Sequence, residues 1–535
     1  MKTMISSIIL ASCLALPLAS CSDSDVAPEQ KDWSTTTYFY SADAAMQDTY
    51  YKPTVGYVGD PMPFFDPVAG DFKVLYLQDF RPNPEGTYHP IWGVSTKDAA
   101  HYTALGELVS CGTLKSQDAA IGTGSTIYDE ASKLYYTFYT GNKYLPIGDE
   151  SAQAVMVATS PDFKTWTKDR TFLLKGQDFG YDKNDFRDPF VFKGDDGKFH
   201  MLISTKKGGK GSLAEFVSDD LKNWTDNGVF MTMMWDRFYE CPDLFKMGDY
   251  WYLVYSEIHH AVRRVQYFKG RTLDELKACT ANDAGIWPDA HEGFLDSRGL
   301  YAGKTASDGT NRYLWGWCPT RSGKDNTAVG ASPAEPEWAG NLVCYKLIQH
   351  EDGTLTLGQV DAVSEKYNQD VAVEVKESQN MTEADGTYTL AGSVEQPDAY
   401  MLMGRLGNHN KISFTVTTSN EWDKFGISMV RGSDSKKYYT MVVNPENENN
   451  RKVNFEEQGV EGKGFIAGID GYVFARPADN VYNITIYTDN SICVMYINDV
   501  CSYTNRIYGI QKNCWSINSY NGANVKISNL KISQY

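Results

Sequence analysis

Apolar and polar residues alternate in short runs along the first two thirds of this chain, and the runs come in sets. Aromatic-rich stretches stand at KVLYLQ (73–78), LYYTFYT (134–140), KFHMLIST (198–205), YWYLVYS (250–256) and RYLWGW (312–317). Each follows a turn-forming cluster, AGD, DEAS, GDDG, MGD or SDGTN, and each turn follows another short run: GDPMPFF, GTGSTIY, FRDPFVF, ECPDLF and GLYAGK. Period-two alternation broken by Gly, Asp and Asn marks β-hairpins. Three sets continue into a third run through Ser/Thr-x-Asp, in STKDAAHY, TSPDFKTW and VSDDLKNW. The sets recur every roughly 50 to 65 residues, which predicts radially arranged antiparallel meanders forming a β-propeller of five blades.

Past residue 370 the pattern changes to KISFTVTT, FGISMVRG, KYYTMVVN, VYNITIYT and SICVMYIN, separated by Gly, Asn and Asp turns. That alternation predicts a β-sandwich. The expected fold class is all-β: a five-bladed β-propeller over 46–350, a linker over 351–372, and a β-sandwich over 373–535 packed tightly against the propeller. A short helix is expected only near LDELKA.

The first twenty residues carry Lys2, the apolar run ISSIILASCLALPLAS and then Cys21, the layout of an export signal over 1–20. Leu18-Ala19-Ser20-Cys21 resembles the bacterial lipoprotein box, which makes Cys21 the expected lipidated residue. Leu10-Ala11-Ser12-Cys13 also fits but would truncate the apolar run. A tether follows over 21–45, and its Ser22-Asp23-Ser24-Asp25 looks like the acidic segment that sends some Gram-negative lipoproteins to the surface. The expectation is a lipid-anchored protein of the cell envelope, at the outer membrane, that meets the membrane only through that anchor.

Among 535 residues the formal net charge is -18, and the sequence pI is about 5.0. An acidic chain has no basic face for phosphates, so nucleic acid is excluded as a partner and an oligo- or polysaccharide fits better. Aromatic residues make up 13%; they serve strand packing and offer faces for sugar rings. Eight cysteines beyond Cys21 are scattered without zinc-ligand spacing, although Cys493 and Cys501 could be bridged. His89, His259 and His260 lack partners at metal-ligand spacing, so no metal and no cofactor is expected.

Asp60, Asp188 and Glu240 open three equivalent runs, GDPMPFF, FRDPFVF and ECPDLF. A radial repeat brings such strand starts to one axis, and carboxylates converging in a pocket suggest glycoside hydrolysis. Asp66-Pro67 is a rival to Asp60-Pro61, but it sits where a hairpin turn belongs. These features together resemble glycoside hydrolase family 32, the β-fructofuranosidases, levanases and inulinases. Arg187-Asp188-Pro189 is similar to its Arg-Asp-Pro motif, Glu240-Cys241 to its Glu-Cys motif, and Thr123-Gly124-Ser125 to its Ser-Gly-Ser turn. LWGW (314–317) and Glu337-Trp338-Ala339-Gly340 resemble its fifth-blade segments. The nucleophile motif departs from the family's Trp-Met-Asn-Asp-Pro-Asn-Gly, reading Tyr57-Val58-Gly59-Asp60-Pro61-Met62-Pro63.

The resemblance implies hydrolysis of β-fructofuranosyl linkages in levan, inulin, sucrose or related fructosides by double displacement with retention. It implies Asp60 as nucleophile, Glu240 as acid and later base, and Asp188 as a binder of ring hydroxyls. Arg187, Trp92, Ser125, Tyr301 and Trp315 are the implied substrate-binding residues, with Gln78 near the family's glutamine. Two other readings stand beside this one: an arabinose- or galactose-directed furanosidase of the related five-bladed families, and a non-catalytic surface glycan-binding lipoprotein.

Overall fold

The computed structural model describes residues 49–80, 89–233, 238–257, 264–279, 293–321, 336–430, 438–445, 452–458, 472–507 and 512–535. The signal peptide, Cys21, the whole tether over 21–45, His259 and His260 lie outside them.

The first 19 strands form successive antiparallel meanders. They begin with the strands Tyr57–Asp66, Ala120–Asp129, Phe186–Lys193, Glu240–Met247 and Tyr301–Ser307. Each of these first strands touches the first strands of its two neighbours, so they close a ring in chain order. Val58 pairs with Gly340, which joins the first and fifth meanders into one sheet. Only glycine fits at 340, because a Cβ there would lie 1.8 Å from the Cys318 carbonyl oxygen. Layers of aromatic and aliphatic side chains fill the space between meanders, among them Tyr76, Trp315 and Tyr345 in one cluster and Phe138, Phe186 and Phe216 in another.

The remaining strands stack as an eight-stranded and a seven-stranded sheet, the expected sandwich. His409–Thr418 buries every second residue, and Phe414, Ile486, Met495 and Trp515 lie in the core between the sheets. The segment expected as a linker is built into both parts. Leu355–Gly358 pairs with Pro336–Gln349 of the fifth meander, Gln369–Val371 pairs with the last strand, and a second short helix, Asp361–Lys366, lies between them. The helix expected at LDELKA runs Leu273–Ala278 and is capped by Thr272.

Two buried ions bind propeller to sandwich. Asp296 accepts hydrogen bonds from Thr504 N, Thr504 Oγ1 and Ser502 Oγ at 2.8, 2.7 and 3.0 Å. Arg506 donates to the Cys318 and Pro319 carbonyls, Asn341 Oδ1 and Ser491 Oγ. Buried charges persist only where such donors or acceptors replace water. Cys493 and Cys501 are separate thiols. No described helix is long and apolar enough to cross a membrane.

Candidate active site

Every first strand breaks register at the same point. The shifts fall between Gly59 and Met62, between Gly122 and Gly124, opposite Arg187–Phe190, between Glu240 and Asp243, and between Tyr301 and Lys304. These are β-bulges, and a bulge re-aims the side chain it carries. At four of them the bulged residue has positive φ: Asp60 at 31°, Asp188 at 57°, Cys241 at 51° and Ala302 at 51°. Three of the four precede proline, which disfavours helical φ/ψ at the residue before it, so the backbone is strained where the acids stand.

The acids are therefore not strictly equivalent. Cys241 is the counterpart of Asp60 and Asp188, and Glu240 projects from one residue earlier, beside Arg187 and Tyr301 of the neighbouring strands. This offset gives Glu240 different neighbours from the two aspartates. Asp60 accepts from Thr123 Oγ1 at 2.8 Å and Trp317 Nε1 at 3.1 Å. Cys241 N donates to Asp188 Oδ2 at 2.9 Å, and its thiol lies 4.0 Å from Thr123 Oγ1. Arg187 donates to Glu240 Oε1 at 2.9 Å and to Asp185 at 2.7 Å while stacking 3.9 Å from the Phe238 ring centre. Tyr301 OH donates to the other Glu240 oxygen at 2.5 Å. Glu240 is thus held by one donor on each oxygen, which fixes the plane of its carboxyl.

Asp188 is 4% exposed. Burial, reinforced by the negative charges of Glu240 and Asp60 and opposed by Arg187, pushes its carboxyl up to about 6. Burial also keeps Cys241 a neutral thiol. Arg187 is held charged by Glu240, Asp188 and Asp185.

Ser125 is committed to the backbone of the third meander. Its Oγ donates to the Pro189 carbonyl and accepts from Val191 N, both at 2.9 Å, which straps the strand carrying Asp188. Thr140 adds a second strap, accepting from Asp188 N and donating to the Thr123 carbonyl. Trp315 is fully buried against Phe72 and Tyr313, with Nε1 bonded to Tyr102 OH, so it forms part of the packing between meanders and not of a rim. The residue at the acids is Trp317, two positions on. The register explains this: the strand after the inner one runs back toward the acid end, and Trp317 pairs with Tyr301 whereas Trp315 pairs with Lys304, beyond the bulge. Trp92 packs on Phe80 and Val55, outside the cluster of Cys241, Tyr301, Trp317 and Trp338 that surrounds the acids. Asp66 sits at the hairpin, capping Val68 N and Ala69 N and accepting from Tyr135 OH. Gln78 is buried and bonded to the Val55 carbonyl.

Trp338 supplies the wall beside Asp60. A Cβ at Gly59 would lie 2.4 Å from its ring, and His89 stacks on it with centroids 4.3 Å apart. Where the family motif has asparagine before the aspartate, this chain has a glycine covered by an indole. Among the described residues no group of His, Cys, Asp and Glu is arranged to hold a metal ion.

The chain is similar to known proteins over both of its parts. Residues 50–360 match the glycosyl hydrolases family 32 N-terminal domain, and residues 353–532 match "GH32, BT1760-like, C-terminal domain". An insoluble β-fructofuranosidase isoenzyme of Arabidopsis thaliana is 26% identical over 54% of this chain and 51% of its own length. A sucrose-6-phosphate hydrolase of Vibrio alginolyticus is 26% identical over 42% and 45%. The match thus spans about half the length of these curated relatives. The structure of fructan 1-exohydrolase IIa from Cichorium intybus superposes with a TM-score of 0.69 at 15% identity, covering 92% of this chain and 97% of that one. Sucrose-6-phosphate hydrolase from Lactobacillus gasseri gives 0.66 at 18% identity, covering 91% and 94%. These likenesses show the fold, a β-propeller followed by a β-sandwich, and the two family matches together run through nearly all of the described chain. The chain belongs to glycoside hydrolase family 32.

Proposed function

We propose that the protein is a retaining β-fructosidase acting on levan, inulin, sucrose or a related fructoside, with the five meanders as the five blades of its propeller over 46–350 and the sandwich over 373–535 as structural support. The observation that carries this reading is the meeting of the three acids at the bulges: Thr123 bonds Asp60 and lies 4.0 Å from the Cys241 thiol, Cys241 N bonds Asp188, and Arg187, next to Asp188 in the chain, bonds Glu240. Glu240 gives its proton to the leaving oxygen while the Asp60 carboxylate attacks the anomeric carbon and forms a fructosyl ester. Water then displaces Asp60, with Glu240 as the base that takes its proton back. Asp188 accepts hydrogen bonds from ring hydroxyls as positive charge develops, and Arg187 and Tyr301 keep Glu240 in plane.

The test is fructose release from levan, inulin, sucrose and arabinan by the mature protein beside Asp60→Asn and Glu240→Gln. Release by the parent and loss in both variants supports the assignment. Arabinose from arabinan selects the arabinose-directed reading, and glycan binding without turnover selects the binding lipoprotein. Lipidation at Cys21 and an outer-membrane location belong to the same proposal; Cys21→Ala should move the protein from the membrane to the soluble fraction.

A further inference from the structure

The second meander spends residues 143–152 on a connection that the third makes with Gly208 and Gly209 alone. Within it Tyr144, Leu145 and Ile147 are 56%, 72% and 79% exposed. Among the described residues, no other stretch shows three large apolar side chains to solvent within four positions. Apolar surface gathered in water at one place marks a binding surface.

The base of the loop says which surface it is. Thr123, which bonds Asp60, lies between the pairs Gly122–Thr140 and Gly124–Tyr139. The returning strand thus passes the level of the acids and ends at Asn142, where the loop begins. Asn142 Oδ1 accepts from Gln153 Nε2 at 3.0 Å, which closes the two ends of the loop on each other. Gln153 Oε1 accepts from Phe186 N at 3.0 Å and Arg187 Nη1 at 3.3 Å, and Arg187 Nη2 bonds Glu240. One side chain, Arg187, therefore separates the base of the loop from the carboxyl that gives its proton to the leaving oxygen. The loop stands on the leaving-group side of the site.

The loop is also held in shape. Lys143 pairs with Glu150, whose other oxygen accepts from Ile147 N, and Glu150 N donates back to the Ile147 carbonyl. Lys183, on the segment leading to Asp188, donates through Nζ to the Gly148 carbonyl, and its own carbonyl accepts from Ala152 N. A surface fixed in this way loses little freedom when a ligand settles on it. Tyr144 to Ile147 stand two to five residues beyond Asn142, a reach of up to about 17 Å. That is longer than one sugar ring, and the C–H faces of sugar rings pack on aromatic and aliphatic side chains.

We infer that the loop over 143–152 is the platform for the leaving group: Tyr144, Leu145 and Ile147 take the second and later units of a fructan chain and so select long fructosides over sucrose. This rests on the fructosidase reading, which supplies Glu240 as the acid.

The test is kcat/KM for release of reducing sugar from sucrose, from trisaccharides and from longer levan- and inulin-type oligosaccharides. In the wild type it should rise with chain length. In Leu145→Ser/Ile147→Ser, and separately in Tyr144→Ala, the ratio of long chain to sucrose should fall roughly tenfold, through KM more than kcat. Val394→Ser, at a 96% exposed apolar position of the sandwich, should keep the wild-type ratio. An unchanged ratio in both loop variants overturns the inference. So does an equal loss on every substrate, which would mean that the loop only props Arg187 through Gln153. Turnover of sucrose with a flat chain-length series overturns this inference alone, whereas a wild type that releases sugar from none of these substrates overturns the fructosidase reading and the inference with it.

Discussion

The inner strands of the propeller and the central strands of the sandwich start from the same alternation, yet they break it differently. His409–Thr418 pairs with Val481–Asp489 over nine consecutive positions without a shift, and the sandwich's own shifts, at Ser413/Thr415, Met403/Arg405 and Val375/Glu377, stand at scattered points. All five inner strands of the propeller break register at one level instead. In the sandwich, positive φ is taken mostly by Asn and Asp in turns, such as Asn490, Asn498, Asp499 and Asn521, residues that tolerate it. At the propeller ring it is taken by aspartates and a cysteine before prolines and by an alanine, where it is strained. The lesson is that the sandwich uses its sequence for stability and the ring uses its sequence to aim side chains. Changes at the ring should therefore alter turnover out of proportion to stability, and changes in the sandwich should do the reverse.

The largest effect expected is at Asp60. Asp60→Asn keeps the shape and the bond to Thr123, so melting should change little while fructose release falls by about 10⁴-fold. Ile486→Ala in the sandwich core, fully buried, should show the mirror image: a loss of about 2–5 kcal/mol in chemical denaturation, with kcat of the folded fraction unchanged.

Asp188→Asn tests both sides at once. A buried acid raised above its unfolded value costs stability in its ionised form, so the penalty is absent near pH 4, grows as pH rises toward 6, and is complete at neutral pH. From the usual 3.8 to about 6, at about 1.4 kcal/mol for each pH unit, Asn should gain about 3 kcal/mol at pH 7 while abolishing turnover. Denaturation curves at pH 4 and pH 7 check the sign, because the gain should vanish at the lower pH.

A smaller effect is expected at Gly59. Ala there would press on the Trp338 ring, so KM should rise by about tenfold with little change in kcat, and Trp338→Leu in the same chain should restore part of it. Independent effects of the two changes would show that the wall beside Asp60 is not built as described.

The difference between the two regions also explains what could be read in advance. Regular alternation made the strands, the change of character past 370 and the two domain types legible, because period two is a direct consequence of the pleat. Asp-Pro and Glu-Cys located Asp60, Asp188 and Glu240. What alternation could not carry was the bulge, since one inserted residue changes which side chains face together. Glu240 accordingly stands one place before its supposed equivalents, Trp317 instead of Trp315 reaches the acids, and Ser125 turns inward to hold Pro189. The repeated signal was nonetheless present: Asp-Pro, Asp-Pro, Cys-Pro and Ala-Gly at four corresponding points of the ring. The sequence shows Trp338 only as part of a motif; its contact with Gly59 depends on the first and fifth meanders meeting at Val58 and Gly340.

The central claim is that a strained bulge presents Asp60 as the nucleophile opposite Glu240. The most direct measurement is acid quenching of Glu240→Gln during turnover of a fructoside with a good leaving group, followed by peptide mass spectrometry. A fructosyl ester on Asp60 is the predicted result. An ester on Asp66, or undiminished turnover in Asp60→Asn, would contradict it.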